Sequence, residues 1–255
     1  MISGRSFFPA LAAALLLLTG RPAVAQAPAV EVVNHYVDIP QAALDEITAR
    51  GTRIRAKLEA FFGRDVPRPI IIDLGPRHRV GHAIAERNTV GFPKSIVDRN
   101  AVVLAHEMTH LIMPEHHWYA LREGIAVYAQ DRFGEVKGYP NLGNDLDRML
   151  IRRLKQRPDA KPRTFLEAEA FFRRVRAPKP GETKLTWRDI DQWDRRNAYL
   201  LGGSFARYLL DVVLKGDMAT FKRLYMSGDI AGVVGRPVEA IQADWLRATG
   251  LDEVQ

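Results

Sequence analysis

Residues 106–110 read HEMTH, and this pattern is the strongest sign of chemistry in the sequence. On an α-helix, residues four apart lie on the same face, so His106 and His110 can direct ring nitrogens at one metal ion. Glu107 lies about 100° further round the helix, where it can reach a water held by the metal without being a ligand. The alternative is a pair of hydrogen-bonded core histidines, because the surrounding residues are apolar and buried imidazoles need partners.

A third protein ligand must come from elsewhere, and the sequence offers His116 and Glu123. His116 has the spacing of HExxHxxGxxH, but Met113 stands at the glycine position and Pro114 follows, which disfavours the left-handed turn that this pattern needs. Glu123 lies in YALREGIAVYAQ, whose apolar face would pack on the first helix and carry the carboxylate inwards. A buried carboxylate needs a positive partner, and a metal ion supplies one. We therefore favour Glu123, whose alternative is a surface residue paired with an arginine; His116 and His117 then form a polar turn.

Zinc suits two imidazoles and one carboxylate, because catalytic zinc sites use three protein ligands and leave a fourth position for water. Zinc lowers the pKa of that water towards 7, and Glu107 would accept the proton. The chain contains no cysteine, so the thiolates that close many structural zinc sites are absent from the sequence. Cobalt or nickel could occupy the same ligands.

The stretch HEMTH followed by WYALREGIAVY resembles the gluzincin metallopeptidases, especially the bacterial peptidase MA-like group. The pattern of that group is HExxH, a short loop and then WxxEGxA. The resemblance implies zinc ligands at His106, His110 and Glu123, and a general base at Glu107. It also implies close helix packing at Gly124 and Ala126.

A later segment, AYLLGGSFARYLLDVVLKGD (198–217), is similar to a later helix of the same family. Related aminopeptidases use a tyrosine from such a helix to stabilise the oxyanion of the tetrahedral intermediate. The resemblance therefore makes Tyr199 the candidate catalytic donor. A core aromatic at helical spacing is the alternative for Tyr199, and Tyr128 and Tyr208 are further choices.

The N-terminal half mixes helix and strand signals. Residues 41–62 have apolar side chains at near-helical spacing, interrupted by Gly51, which predicts an amphipathic helix. PIIIDLG (69–75) is β-branched and bounded by proline and glycine, as in a buried strand. TVGFPKSIVD (89–98) contains Pro93, so a strand there belongs at a sheet edge, where it could pair with a peptide substrate.

The rest of the chain is mainly helical by its periodicity. AVVLAHEMTHLIM (101–113) ends at a proline and predicts a buried helix, and HWYALREGIAVYAQDRF (117–133) resumes the helical pattern. Further helices are predicted within 198–214, 219–228 and 237–250, each with a glycine near its end.

The first residues have the features of an export signal. Arg5 precedes an apolar run from Phe7 to Leu18, and Ala23-Val24-Ala25 forms a small-x-small site. We expect a signal peptide over residues 1–25 and a periplasmic or secreted protein. An uncleaved anchor is the alternative, but the run is shorter than the ~20 residues that a membrane span needs.

The formal net charge is +7, and much of it clusters in residues 152–163 and 171–180. Both stretches are expected to be solvated faces and loops; weak attraction to an anionic envelope surface or to an acidic substrate is the alternative. No aromatic-and-basic motif for nucleic acid appears.

Together these features predict an α+β fold of the zincin type. A small N-terminal mixed sheet with helices would carry the HExxH helix at its junction with a mainly helical C-terminal portion. The predicted divisions are a signal peptide (1–25), an α+β subdomain with the metal site (26–140) and a helical subdomain (141–255). The predicted function is an exported zinc metallopeptidase that acts on peptide or protein substrates. Alternatives are a non-catalytic, zinc-stabilised binding module of the cell envelope and a metal-dependent hydrolase of cell-wall peptides.

Overall fold

The computed structural model describes residues 28–113, 116–186 and 190–254, so the predicted signal peptide lies outside the described residues. Within these ranges the chain forms a small four-stranded mixed sheet and ten α-helices, and the structure is 58% helical with a mainly helical C-terminal portion. The α+β fold predicted from the sequence is thereby confirmed. No helix in the described ranges combines the length and apolarity that crossing a membrane requires.

The sheet is formed by the N-terminal half of the chain. Its strands are β1 (Val30–Asn34), β2 (Ile70–Leu74), β3 (His82–Ile84) and β4 (Thr89–Phe92), in the spatial order β1-β2-β4-β3. β1 and β4 run parallel to β2, and β3 runs antiparallel to β4. The β-branched run predicted as a buried strand is β2, whose isoleucines at 70 and 72 have no exposed surface.

The predicted place of the second strand is wrong. β4 is an inner strand with all four residues buried, and β3 covers the edge that we expected β4 to form. The reason is that the strand ends at Phe92, so Pro93 follows the ladder and no sheet hydrogen bond is lost at the proline. Residues 94–97 then form the short helix α2 (Lys94–Val97).

Three helices, α1, α3 and α4, connect the sheet to the HEMTH motif. α1 (Gln41–Phe62) continues through Gly51 without a break, and that glycine lies close to side-chain atoms of Ile72 and Val30 on the sheet. α3 (Leu104–Ile112) carries the HEMTH motif and is buried along most of its length. α4 (Tyr119–Phe133) follows and packs against α3, while Pro114 and Glu115 between them lie outside the described residues.

The C-terminal half supplies the remaining helices. They are α5 (Leu146–Gln156), α6 (Phe165–Arg176), α7 (Gln192–Arg207), α8 (Met218–Ser227), α9 (Ile230–Val234) and α10 (Val238–Thr249). α7 passes into a π-helical turn over Tyr208–Val213. The helices predicted within 198–214, 219–228 and 237–250 are all present.

The hydrophobic core joins the two halves of the chain. A single cluster of buried residues runs from Val30 on β1 to Leu251 after α10, and α7 packs along α4 within it. The division proposed at residue 140 stays a prediction. The motif histidines of α3 face residues of α4 and α7, and α6 packs on both of those helices.

Candidate metal centre

Three candidate ligands converge between α3 and α4. The Nε2 atoms of His106 and His110 lie 3.6 Å and 3.4 Å from Oε2 of Glu123. The ligand atoms of all three residues lie within 4.8 Å of one another, and they form the one such group among the described residues. The two histidine rings stand almost edge to face, with centroids 5.0 Å apart.

The spacing fits a tetrahedral metal site. Two ligands held about 2.1 Å from one zinc ion at tetrahedral angles stand about 3.4 Å apart. The separations between the two imidazole nitrogens and the Glu123 oxygen, 3.6 Å and 3.4 Å, are close to this value. His106, His110 and Glu123 can therefore bind a metal ion.

The group is shielded from water. The side chains of His106, His110 and Glu123 are 9%, 8% and 2% exposed. Burial alone would raise the pKa of Glu123, but the adjacent His110 and His106 outweigh it and hold that pKa well below its usual value. For His106 burial acts in the opposite direction and lowers the pKa, but the negative charges of Glu123 and Glu107 raise that pKa above its usual value. The carboxylate of Glu123 is thus charged at neutral pH.

One further contact positions the backbone of His106. Its backbone N–H donates to Oε1 of Gln130, a buried residue on α4, over 3.2 Å. Its Nδ1 atom is buried without a hydrogen-bond partner among the described residues, so contacts on the Nε2 side determine the ring orientation. The contact of Gln130 with His106 was not predicted from the sequence. A glutamine among the apolar residues of α4 was the signal that could have indicated a buried polar contact.

Glu107 lies beside the group and is not part of it. The side chain is 6% exposed and points towards the loop that precedes β3. A Cβ atom at Gly81 in that loop would lie 3.0 Å from Oε1 of Glu107, so the absence of a side chain there makes room for the carboxylate. Sequence reasoning placed Glu107 off the ligand face but did not identify Gly81.

Arg176 and Glu169 on α6 are the main site residues that sequence reasoning missed. Nη2 of Arg176 donates to Oε1 of Glu123 over 2.7 Å, and Oε2 of Glu169 accepts from the N–H of Ala120 over 2.8 Å. The basic stretch 171–180 was expected to be solvated. Arg176 is seven positions after Glu169, or about two helical turns, which puts both on one helix face, and this spacing was the signal that could have indicated a shared role.

His116 lies away from the three candidate ligands. Its Nδ1 atom accepts the N–H of Trp118 over 2.9 Å at the start of α4, and its ring packs 4.3 Å from the ring of Tyr225. The structure thus brings Glu123, and not His116, to the motif histidines. His116 is buried, whereas His117 is exposed.

Tyr199 on α7 reaches the same region. The centroid of its ring lies 6.2 Å from the centroid of the His106 ring. The ring also packs edge to face against the rings of Phe172 and Tyr139. Burial, together with the charge of Glu123, raises the pKa of Tyr199 well above its usual value, so the phenol keeps its proton.

The other two tyrosines considered have different surroundings. The hydroxyl of Tyr128 donates to Oδ1 of Asp211 over 2.8 Å, and the hydroxyl of Tyr208 lies near the charges of Asp244 and Arg236. Neither contacts the motif histidines in the described structure, which leaves Tyr199 as the tyrosine placed beside them.

The helices that carry these groups meet at glycines. A Cβ atom at Gly124 on α4 would lie 2.2 Å from the carbonyl oxygen of Gly202 on α7. Gly124 is therefore a close-packing residue, as the resemblance implied. Glu123 directly precedes Gly124, and Tyr199 lies three residues before Gly202. The contact between the glycines therefore brings Glu123 and Tyr199 to the same part of the molecule.

Comparison with known proteins leaves the family open. The chain matches no protein-family model, no curated protein and no solved structure. The resemblance to the gluzincins therefore rests on the residues of HEMTH and WYALREGIAVY.

Proposed function

We propose that the protein is a zinc-dependent peptidase of the gluzincin type. The observation that carries the proposal is the convergence of His106, His110 and Glu123, with Glu107 beside them as an acid that is not a ligand. Two imidazoles and one carboxylate are a ligand set that catalytic zinc uses. When bound, zinc would polarise the scissile carbonyl and make an attacking water more acidic.

The residues of the chain would move the protons and stabilise the developing charge. Glu107 accepts a proton from the attacking water as the new carbon–oxygen bond forms, and it passes that proton to the leaving amine as the carbon–nitrogen bond breaks. Tyr199, which is protonated and lies beside His106, donates a hydrogen bond to the oxyanion. The products are a carboxylic acid and an amine.

The position of β3 at one edge of the sheet suggests how a peptide is held. β3 (His82–Ile84) is the outermost strand next to α3, and it takes the role that the sequence had assigned to residues 89–98. An extended peptide can add to such an edge through main-chain hydrogen bonds. Gly81, directly before β3, adjoins Glu107, so a bound peptide would pass near the proposed base.

The surroundings of the site favour catalysis over a purely structural ion. Structural zinc sites are usually closed by four protein ligands, whereas the group found among the described residues contains three. A structural ion also needs no base next to its fourth coordination position, whereas the buried Glu107 lies beside this group. A zinc-stabilised binding module is the rival, and it would bind the metal tightly but hydrolyse no peptide.

Metal content is the first test. The purified protein is dialysed against zinc and analysed by inductively coupled plasma mass spectrometry, alongside Glu123→Ala, His116→Ala and His117→Ala. About one zinc per chain in the wild type, lost in Glu123→Ala and kept in both histidine variants, is the expected result. Loss in His116→Ala with a native circular dichroism spectrum, or a wild type without metal, would overturn the proposed site.

Hydrolysis is the second test, with a library of fluorogenic peptides as the probe. We expect Glu107→Gln to keep its zinc and to lose peptide cleavage, because the amide cannot accept the proton. Retained turnover in Glu107→Gln would remove the mechanism. A wild type that binds zinc and cleaves no peptide in the library would favour the binding module.

A further inference from the structure

Two side chains that lie two turns apart on α6 contact the first turn of α4. Oε2 of Glu169 accepts the backbone N–H of Ala120, and Nη2 of Arg176 donates to Oε1 of Glu123. Glu169 is buried, and Arg173 balances its charge through a 2.8 Å contact with Oε1. The first turn of α4 is thus held by side chains from one face of α6.

The two oxygens of Glu123 have different partners. Oε1 takes the hydrogen bond from Arg176 at 2.7 Å, and Oε2 lies 3.6 Å and 3.4 Å from the imidazoles of His106 and His110. Arginine-to-carboxylate hydrogen bonds of this length are among the stronger ones in proteins. The carboxylate therefore cannot rotate about its terminal bond without losing a strong contact.

We infer that Arg176 is a positioning residue of the metal site, which holds one oxygen of Glu123 so that only the other faces the metal. This inference rests on the proposed function. Arg176 does not touch the metal position itself; it acts through Glu123. Without it, the carboxylate can turn to bind through both oxygens or swing away, and either change alters the coordination of the metal.

The size of the effect follows from how metal sites depend on such supports. Loss of a residue that orients a ligand typically weakens metal affinity or activity by about 10- to 100-fold. Here the orienting contact involves a full charge on a ligand that is 2% exposed, so the effect should fall in that range. Lysine at position 176 offers a charge without the planar guanidinium and should restore the affinity only in part.

Cobalt(II) is the probe, because it binds the same kinds of ligand as zinc and its visible absorption reports coordination number. Cobalt affinity and spectrum are measured for the full-length wild type, Arg176→Met, Arg176→Lys and Arg174→Met. Methionine keeps much of the apolar stem, and Arg174 is an exposed neighbour on the same helix, so Arg174→Met controls for the loss of one positive charge. Circular dichroism of the metal-free proteins verifies folding, and Arg176→Lys replaces Arg176→Met if the latter is unfolded.

The expected result is a 10- to 100-fold weaker cobalt affinity and a changed visible spectrum in Arg176→Met, with Arg174→Met like the wild type. A folded Arg176→Met with wild-type affinity and spectrum would overturn the role of Arg176 and leave the proposed function intact. Equal losses in Arg176→Met and Arg174→Met would also overturn it, since net charge would then explain both. A wild type that binds no cobalt would instead count against the proposed function.

Discussion

Gly124 on α4 and Gly202 on α7 meet backbone to backbone. A Cβ atom at Gly124 would lie 2.2 Å from the Gly202 carbonyl oxygen, and one at Gly202 would lie 2.5 Å from the Ala120 carbonyl oxygen. Both distances are far below van der Waals contact, and the facing atoms belong to the main chain. The separation of α4 and α7, and with it the approach of Tyr199 to Glu123, therefore depends on the absence of side chains at both positions.

Replacing Gly124 by alanine should lower the free energy of unfolding. The two helices must separate, and overpacking of this kind costs about 1–3 kcal/mol, which exceeds the gain of up to ~1 kcal/mol in helix propensity. Urea denaturation of the metal-free protein measures the change. Gly51→Ala on α1 is the control, because its closest contact is a terminal methyl of Ile72, which can move aside. Equal stability of Gly124→Ala and wild type would contradict the packing argument.

Replacing Gly81 by alanine should slow peptide cleavage without removing the metal. The new methyl group would stand 3.0 Å from Oε1 of Glu107 and 2.9 Å from a ring atom of Phe92, so the carboxylate must shift. The shift needed is a few tenths of an ångström, so we expect a smaller loss than the roughly hundredfold that a displacement of about 1 Å at a catalytic group can cause. Steady-state kinetics together with zinc analysis test this, and unchanged turnover would show that the Glu107 carboxylate has room to adjust.

Replacing Tyr199 by phenylalanine should lower turnover by about 100- to 1,000-fold, the effect typical of losing one oxyanion donor. Zinc content should not change, because the phenol is not one of the grouped ligands. Tyr208→Phe, which removes a hydroxyl elsewhere on the same continuous helical segment, is the matched control. If Tyr199→Phe cleaves peptides as fast as the wild type, Tyr199 is a packed core aromatic.

Glu135 gives a pH-dependent contribution to stability. Arg53 donates to its carboxylate over 2.7 Å and Lys57 over 3.1 Å, and these contacts lower the pKa of Glu135 to about 2. A carboxyl with a lowered pKa in the folded state stabilises the fold above its unfolded pKa, and the contribution falls as pH drops towards 2. Because the side chain is 27% exposed, water screening should limit the contribution to about 1 kcal/mol or less at pH 7.

Urea denaturation of Glu135→Gln at pH 7, 5 and 3 measures this contribution. The deficit relative to the wild type should be greatest at pH 7 and smallest at pH 3. Glu86→Gln, on the exposed turn before β4, provides the control for a charge removed elsewhere. A deficit that stays constant from pH 7 to pH 3 would mean that packing, and not ionisation, makes Glu135 stabilising.

Local sequence signals predicted most of the secondary structure. The isoleucine run of β2, the apolar run of α3 and the periodic pattern of α4 each describe a segment whose environment is nearly uniform along its length. The failure at residues 89–98 came from treating one stretch as one element. A strand and a short helix meet at Pro93, and the rule that places proline at sheet edges does not apply to a residue just beyond the strand.

The sequence by itself determined that His106 and His110 share a helix face and that Glu107 lies off it, because the helical repeat fixes the relative directions of residues on one helix. Only the tertiary structure decided that Glu123 and not His116 completes the group, and that Arg176 holds its second oxygen. These contacts join α3, α4 and α6, and their geometry depends on how separate helices pack around a shared core. No spacing within a single segment encodes that packing. The sequence could therefore favour Glu123 over His116 as the third candidate ligand, but it could not indicate that Arg176 contacts Glu123.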